Sequence, residues 1–185
     1  MVRLAVLLCV ALVVLASCSG SGPTIDEYAP VLQERAVAYA DEVETLAEQH
    51  AADLNSAVNR LQNDLTGDAL LEAAVAETAA RSSMLFAGIG DAIDRYVREL
   101  DAMAVPGAVE DAHVSYVAAL DASLSGVAPL LEALAAASTF DQIDQAIASS
   151  GFSDAQSRVE AACAALQAVV ESAGATVDLR CVVVR

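Results

Sequence analysis

Glu110-x-x-His113 sets a carboxylate and an imidazole three residues apart, the i, i+3 spacing with which bundle helices ligate a di-iron centre. A site of that kind takes a second Glu-x-x-His, and the residue three before the other histidine, His50, is Ala47. Glu110 also falls beside the apolar stripe of its helix and not on it. A haem held by His50 or His113 with Met84 or Met103 is a second chemistry these residue types allow, without a spacing that fixes it. The plainer reading makes both histidines, with Tyr39, Tyr96 and Tyr116, core-edge residues whose bodies are buried and whose polar tips find partners. His113, His50 and Glu110 thus stand as the candidate ligand-binding residues, and no cofactor or metal is assigned to them.

Other reactive patterns are missing. There is no G-x-S-x-G for a nucleophilic serine. Asp41, Glu42 and Glu44 form a dense acidic cluster, but in a chain with 26 acids no carboxylate pair singles itself out as an acid/base couple. Such a run reads as a solvated helix face. A calcium loop would need D-x-D-x-D-G, which does not occur. "AGIGDA", around Gly88 and Gly90, lacks the preceding strand and the full glycine pattern of a phosphate-binding turn. The two glycines instead allow close approach of a neighbouring helix, or a kink. Catalysis is not expected.

The formal net charge is -17, and all nine basic residues are arginine. A polyanion of this kind is repelled by phosphate backbones, which argues against nucleic acid as a partner. Only 4% of residues are aromatic and there is no Trp, so the core must be built from small aliphatic side chains.

The N-terminus opens with Arg3 and then the apolar run Leu4–Ala16, "LAVLLCVALVVLA". A bilayer-spanning helix needs about 20 such residues; this run has the length of a secretory h-region. Leu15-Ala16-Ser17-Cys18 resembles the lipobox of bacterial lipoproteins. The resemblance implies cleavage before Cys18, a diacylglycerol on its thiol and an acylated amine. An unlipidated cleavage site and an uncleaved anchor are the alternatives, and each still takes the bulk of the chain out of the cytoplasm. The expected organisation is a signal peptide over 1–17, lipidated Cys18 with a flexible tether over 18–24, and an ectodomain over 25–185. The acyl chains, not surface charge, would hold so acidic a protein at a membrane.

Cys9 leaves with that signal and Cys18 is taken by lipid, so Cys163 and Cys181 remain. In an oxidising compartment they form a structural disulfide or stay as two free thiols; export favours the disulfide. Closing a loop of about 18 residues stabilises by roughly 3 kcal/mol in the chain-entropy model.

Helices must position all of this. Thr24-x-x-Glu27 reads as a capping box, and Pro30 requires a helix start nearby. Tyr39, Val43, Leu46, His50, Leu54, Val58, Leu61 and Leu65 then recur at threes and fours. "TGD" at 66–68 ends that helix, with Asp68 as cap of the next. The second helix carries Leu71, Val75, Leu85, Ile89, Ile93, Tyr96 and Leu100, with Glu77/Arg81, Asp91/Arg95 and Asp94/Arg98 as i, i+4 pairs on its outer face. "VPG" at 105–107 turns the chain into a third helix, which Pro129 must kink or split. Thr139-x-x-Gln142 and Ser153-x-x-Gln156 read as two further capping boxes. Gly174 ends the last helix, and "ATVDLRCVVVR" is extended, folding back to bring Cys181 to Cys163.

The fold expected is all-α: an antiparallel helical bundle of about four main helices, with a C-terminal extended segment tied back by a disulfide. "ACAALQAVVESAGATVDLRC" and "VPGAVEDAHVSYVAAL" resemble small helical lipoproteins of high-GC bacteria, a likeness that implies an envelope protein and transfers no catalytic residue. The function expected is that of a lipid-anchored, extracytoplasmic interaction or structural module without catalysis. Its partners would be the membrane, through the anchor, and an envelope protein. The alternative is a bundle carrier of a metal, haem or small hydrophobic ligand.

Overall fold

The computed structural model describes residues 22–181. Cys18 and the signal segment lie outside the described residues, as do 182–185. Among the described residues six helices form: α1 (Ile25–Asp64), α2 (Gly67–Asp101), α3 (Glu110–Leu124), α4 (Val127–Ala136), α5 (Phe140–Ser149) and α6 (Phe152–Ser172). No strand occurs among the described residues.

The capping box at Thr24 is complete: Thr24 N donates to Glu27 Oε2 at 2.9 Å and Glu27 N to Thr24 Oγ1 at 3.3 Å. These bonds to Thr24 hold the Glu27 carboxyl below its ordinary pKa. Pro30 lies just past the first turn of α1, where the Asp26 carbonyl that loses its N–H partner is exposed to water. α2 starts one residue ahead of Asp68, so Asp68 is no cap; it sits in the first turn, where a negative charge suits the helix dipole. The third helix is split, as Pro129 requires, with the break at Ser125–Gly126. Pro129 then occupies the first turn of α4, where a backbone N–H would have had no helical partner.

α1 and α2 form a long antiparallel hairpin, and arginines staple it. Arg35 donates to the Glu99 carbonyl (2.6 Å), Arg95 meets Glu42 (2.8 Å) and Arg81 reaches both Glu77 (2.6 Å) and Asp53 (3.3 Å). Arg98 pairs with Asp94 as its spacing suggests, but Arg95 leaves Asp91 for Glu42 on the neighbouring helix. Such exposed pairs contribute at most about 1 kcal/mol each. The glycines of α2 stand at close approaches and not at a kink. A Cβ on Gly88 would lie 3.2 Å from Leu46 of α1, and one on Gly90 would lie 3.1 Å from Val127 of α4.

The main core lies among the first half of α1, the second half of α2, α3 and α6. Leu32, Leu100, Leu120 and Leu166 are fully enclosed there. α3 and α6 run antiparallel, since Gly126 after α3 packs against Ser150 and Phe152 at the start of α6. A second, smaller core forms where α4 and α5 cover α2, through Leu130, Leu134 and Ile143 against Val75 and Ala79. The stretch Glu110–Ala136 is long and apolar enough to cross a bilayer by composition; here His113, Tyr116, Leu120, Leu130 and Leu134 turn inward from it to fill both cores.

α6 ends in a two-bond cap. Gly174, at φ +105°, lets its own N–H reach the Glu171 carbonyl (3.0 Å) and that of Ala175 reach the Val170 carbonyl (3.3 Å). The tail then runs back along the bundle with Val177 and Leu179 buried, and Cys181 forms a disulfide with Cys163, their Cα atoms 5.5 Å apart. Leu179 N donates to Gln167 Oε1 and Asp178 N to Gln33 Oε1. Arg180 takes a left-handed conformation (φ +49°), which costs on the order of 1 kcal/mol. In return its guanidinium reaches Asp41 and Glu44 of α1. The acidic cluster of α1 is thus divided between two arginines, with Glu42 on Arg95.

Candidate functional site

The residues singled out by type do not converge. His113, on α3, is 4% exposed. Its Nδ1 accepts the Tyr28 hydroxyl proton at 2.8 Å, in the tautomer that carries its proton on Nε2. Burial pushes the imidazole's pKa below its ordinary value, against the opposing pull of the Leu100 carbonyl and of Asp101. His113 is therefore a core side chain whose acceptor nitrogen is already engaged. His50 lies about 33 Å further along α1 than Tyr28. It borders a small recess of about 130 Å³ with Asp53, Arg81 and Met84. Glu110 is exposed at the first position of α3. Among the described residues, no three His, Cys, Asp or Glu side chains are grouped to hold a metal ion.

Tyrosines mark the middle of the bundle. Tyr39 and Tyr96 stack at 4.6 Å between ring centroids and 9° between planes, and Tyr116 meets Tyr96 edge-on at 6.1 Å. Burial raises the pKa of all three, Tyr116 to about 12. The expectation that every tip finds a partner fails at Tyr96. Its hydroxyl is buried without a hydrogen bond among the described residues; Tyr116 is near enough to affect its titration but not in bonding geometry. Tyr28 is the residue the periodicity missed. The stripe of α1 begins earlier than Tyr39, with Tyr28, Leu32 and Ala36 at intervals of four, all three buried.

Above the tyrosines the bundle opens. α1 runs about 60 Å and α3 only about 22 Å, so the four-helix layer ends where α3 stops; α4 continues along α2, with Val127 beside Gly90 and Leu130 and Leu134 in one cluster with Val75 and Ala79. A cleft of about 410 Å³ lies at that mouth. α1 contributes Tyr39, Val43 and Ala47, and α2 contributes Leu85, Phe86, Ile89 and Ile93. Ile147 of α5 and Phe152 and Val159 of α6 close the other side, with Phe152 edge-on to Phe86 at 5.4 Å. The polar lining is limited to Ser123, Ser153 and Gln156, beside the Tyr39 hydroxyl.

No Asp, Glu, Arg or His lines the cleft, and burial keeps Tyr39 protonated. Its volume and lining fit the usual dimensions of a small-molecule site. Chemically the arrangement can exclude water from an apolar body and satisfy a few hydrogen bonds; it offers no nucleophile and no acid/base pair.

Ser153 and Gln156 are in the wall because the third expected capping box does not form. α6 starts at Phe152 with Gly151 as its cap, in a left-handed conformation (φ +71°) and without a side-chain bond. Ser153 therefore falls inside the first turn, and Gln156 sits one turn further along the same face. At Thr139 half a box forms: its hydroxyl accepts from Gln142 N (3.2 Å), while the Gln142 side chain goes to Ser138 N (2.7 Å).

Comparison with known proteins found no matching family model, curated protein or solved structure.

Proposed function

We propose that this chain is an exported lipoprotein of the bacterial envelope, anchored through Cys18, whose helical domain acts by binding and not by catalysis, holding a small hydrophobic molecule between its helices. The address rests on the lipobox that ends the apolar leader. The binding activity rests on one observation: an uncharged cleft of about 410 Å³ at the mouth of the four-helix layer, in a chain of net charge -17. An apolar recess of that size is the default location of a ligand in a helical bundle. The carrier reading thereby moves from the histidines to the cleft, because His113 is engaged with Tyr28 and neither histidine lines the cleft.

A second reading, an interaction module docking an envelope protein, has its own support. α1 and α2 extend beyond the main core, where α4 and α5 cover one side of α2, and Leu71 (58% exposed) and Met84 (70% exposed) stand on α2 in open solvent.

The test is native mass spectrometry of the chain from Ser19, sent out behind an ordinary secretion signal and purified without detergent. All the packing described lies within Gly22–Cys181, so this form retains it. A mass above that of the disulfide-bonded chain supports the carrier. A bare mass that stays bare after incubation with lipid extract counts for the interaction module.

A further inference from the structure

Resting on the carrier reading, we infer that the cleft takes an uncharged, largely apolar molecule with a hydrogen-bonding end, of the long-chain alcohol or neutral glyceride class, its polar end on Ser153 and Gln156 of α6. Three features of the wall select this class.

The first is charge. The chain has 26 acidic residues and nine arginines, yet neither sign occurs among the lining residues. A carboxylate, phosphate or ammonium group entering the cleft would lose its hydration and find no counter-ion. The surrounding negative charge disfavours an anion further.

The second is the supply of free hydrogen-bonding groups. Ser123 already donates its proton to the Leu120 carbonyl at 2.7 Å. The Ser153 hydroxyl and the Gln156 amide make no side-chain hydrogen bond among the described residues, since Ser157 bonds only the backbone carbonyl of Ser153. Gln156 offers both an acceptor and two donors, and Ser153 offers one of each kind. Together they match a hydroxyl or ester, which needs donor and acceptor at one place. Their spacing of three puts them on one face of α6, so one polar end can meet both at once; the Tyr39 hydroxyl is the remaining polar group of the wall.

The third is size. Apart from Tyr39, Ser123, Ser153 and Gln156 the wall is apolar, with Phe86, Ile89 and Ile147 among its side chains. The volume accommodates a single chain of small-molecule size and is too small for a helix of 10–12 Å diameter and several turns.

The experiment follows a neutral fluorescent dye, N-phenyl-1-naphthylamine, bound to the chain from Ser19, and its displacement by 1-decanol, decanoate and decylammonium. The expected result is displacement by decanol at a concentration about tenfold or more below that of either ion. Ser153→Ala with Gln156→Leu should weaken decanol relative to the dye by about three- to tenfold, the range of one or two lost hydrogen bonds. Ala47→Phe, which fills the cleft from its rim, should abolish dye binding with the helical circular dichroism intact. Dye that binds but yields equally to decanoate or decylammonium overturns the inference about ligand class and leaves the carrier standing. An unchanged decanol affinity in the Ser153/Gln156 variant overturns the placement of the polar end. Failure of the dye to bind, or binding that Ala47→Phe does not affect, overturns the carrier reading itself.

Discussion

The Tyr28 hydroxyl and His113 Nδ1 meet at 2.8 Å inside the bundle although 85 residues separate them in the chain. This one bond ties the first turn of α1 to the first turn of α3. It also consumes the acceptor nitrogen that a metal or haem would have used. Tyr28→Phe leaves that nitrogen buried and unpaired, a loss of about 1–3 kcal/mol, measurable as a lowered urea midpoint. His113 adds a pH dependence. Its folded pKa is below the unfolded one, so the unfolded chain binds the proton first. Stability is full above the unfolded value of about 6.5 and is lost as pH falls through the window beneath it. In a Tyr28→Phe/His113→Leu double variant, that part of the acid slope should disappear.

The same substitution at Tyr96 should have the opposite sign. Its ring stacks on Tyr39 and meets Tyr116, but its hydroxyl is buried without a partner. Tyr96→Phe keeps both ring contacts and removes the unpaired group. Stability should rise by about 1 kcal/mol, seen as a higher melting temperature; a fall would mean that the hydroxyl is bonded after all.

Gly88 and Gly90 also separate under one substitution. Alanine gains about 1 kcal/mol of helix propensity at either position. At Gly88 the new methyl meets the end of the Leu46 side chain, which can turn away, so Gly88→Ala should be neutral or stabilising. At Gly90 it meets Val127, a stiff β-branched residue at the buried start of α4. Gly90→Ala should lower stability by about 1–2 kcal/mol. Thermal unfolding of the two variants side by side checks the pair.

Reduction of Cys163–Cys181, or Cys181→Ser, should lower stability by about 3 kcal/mol. Arg180→Ala should change stability far less, since its pairs with Asp41 and Glu44 are exposed. A reductant-dependent shift in melting temperature, absent in Cys181→Ser, is the measurement.

Cys18→Ser tests the address. It should move the protein out of the membrane fraction and end incorporation of labelled palmitate; unchanged fractionation would remove the lipid anchor from the proposal.

Local signals carried most of the helical layout. Thr24 and Glu27 complete their box because both partners lie in one turn, and Gly174 stops α6 through its own backbone. Pro129 announced a break that falls at Ser125–Gly126. Reading failed where a second element intervenes. Arg95 prefers Glu42 because another helix brings a carboxylate closer than Asp91. Ser153 is not a cap because α6 already begins at Phe152, with Gly151 as its cap. The cleft was illegible for a deeper reason. Val43, Ile89 and Ile93 each read as ordinary stripe residues, and whether a stripe is covered depends on where its neighbours stop. That is set by the unequal lengths of α1 and α3, not by any spacing within either.

The tyrosine arrangement has an optical consequence. Two identical chromophores fixed at 4.6 Å and 9° in a chiral frame couple their transitions and give a split near-ultraviolet dichroism band. The chain has no Trp, so no indole transitions overlie that band. Tyr39 faces the cleft while Tyr96 lies behind it. A guest that tilts the Tyr39 ring by a few degrees therefore alters a spectrum the unlabelled molecule already displays, and the wall of the cleft reports its own occupancy.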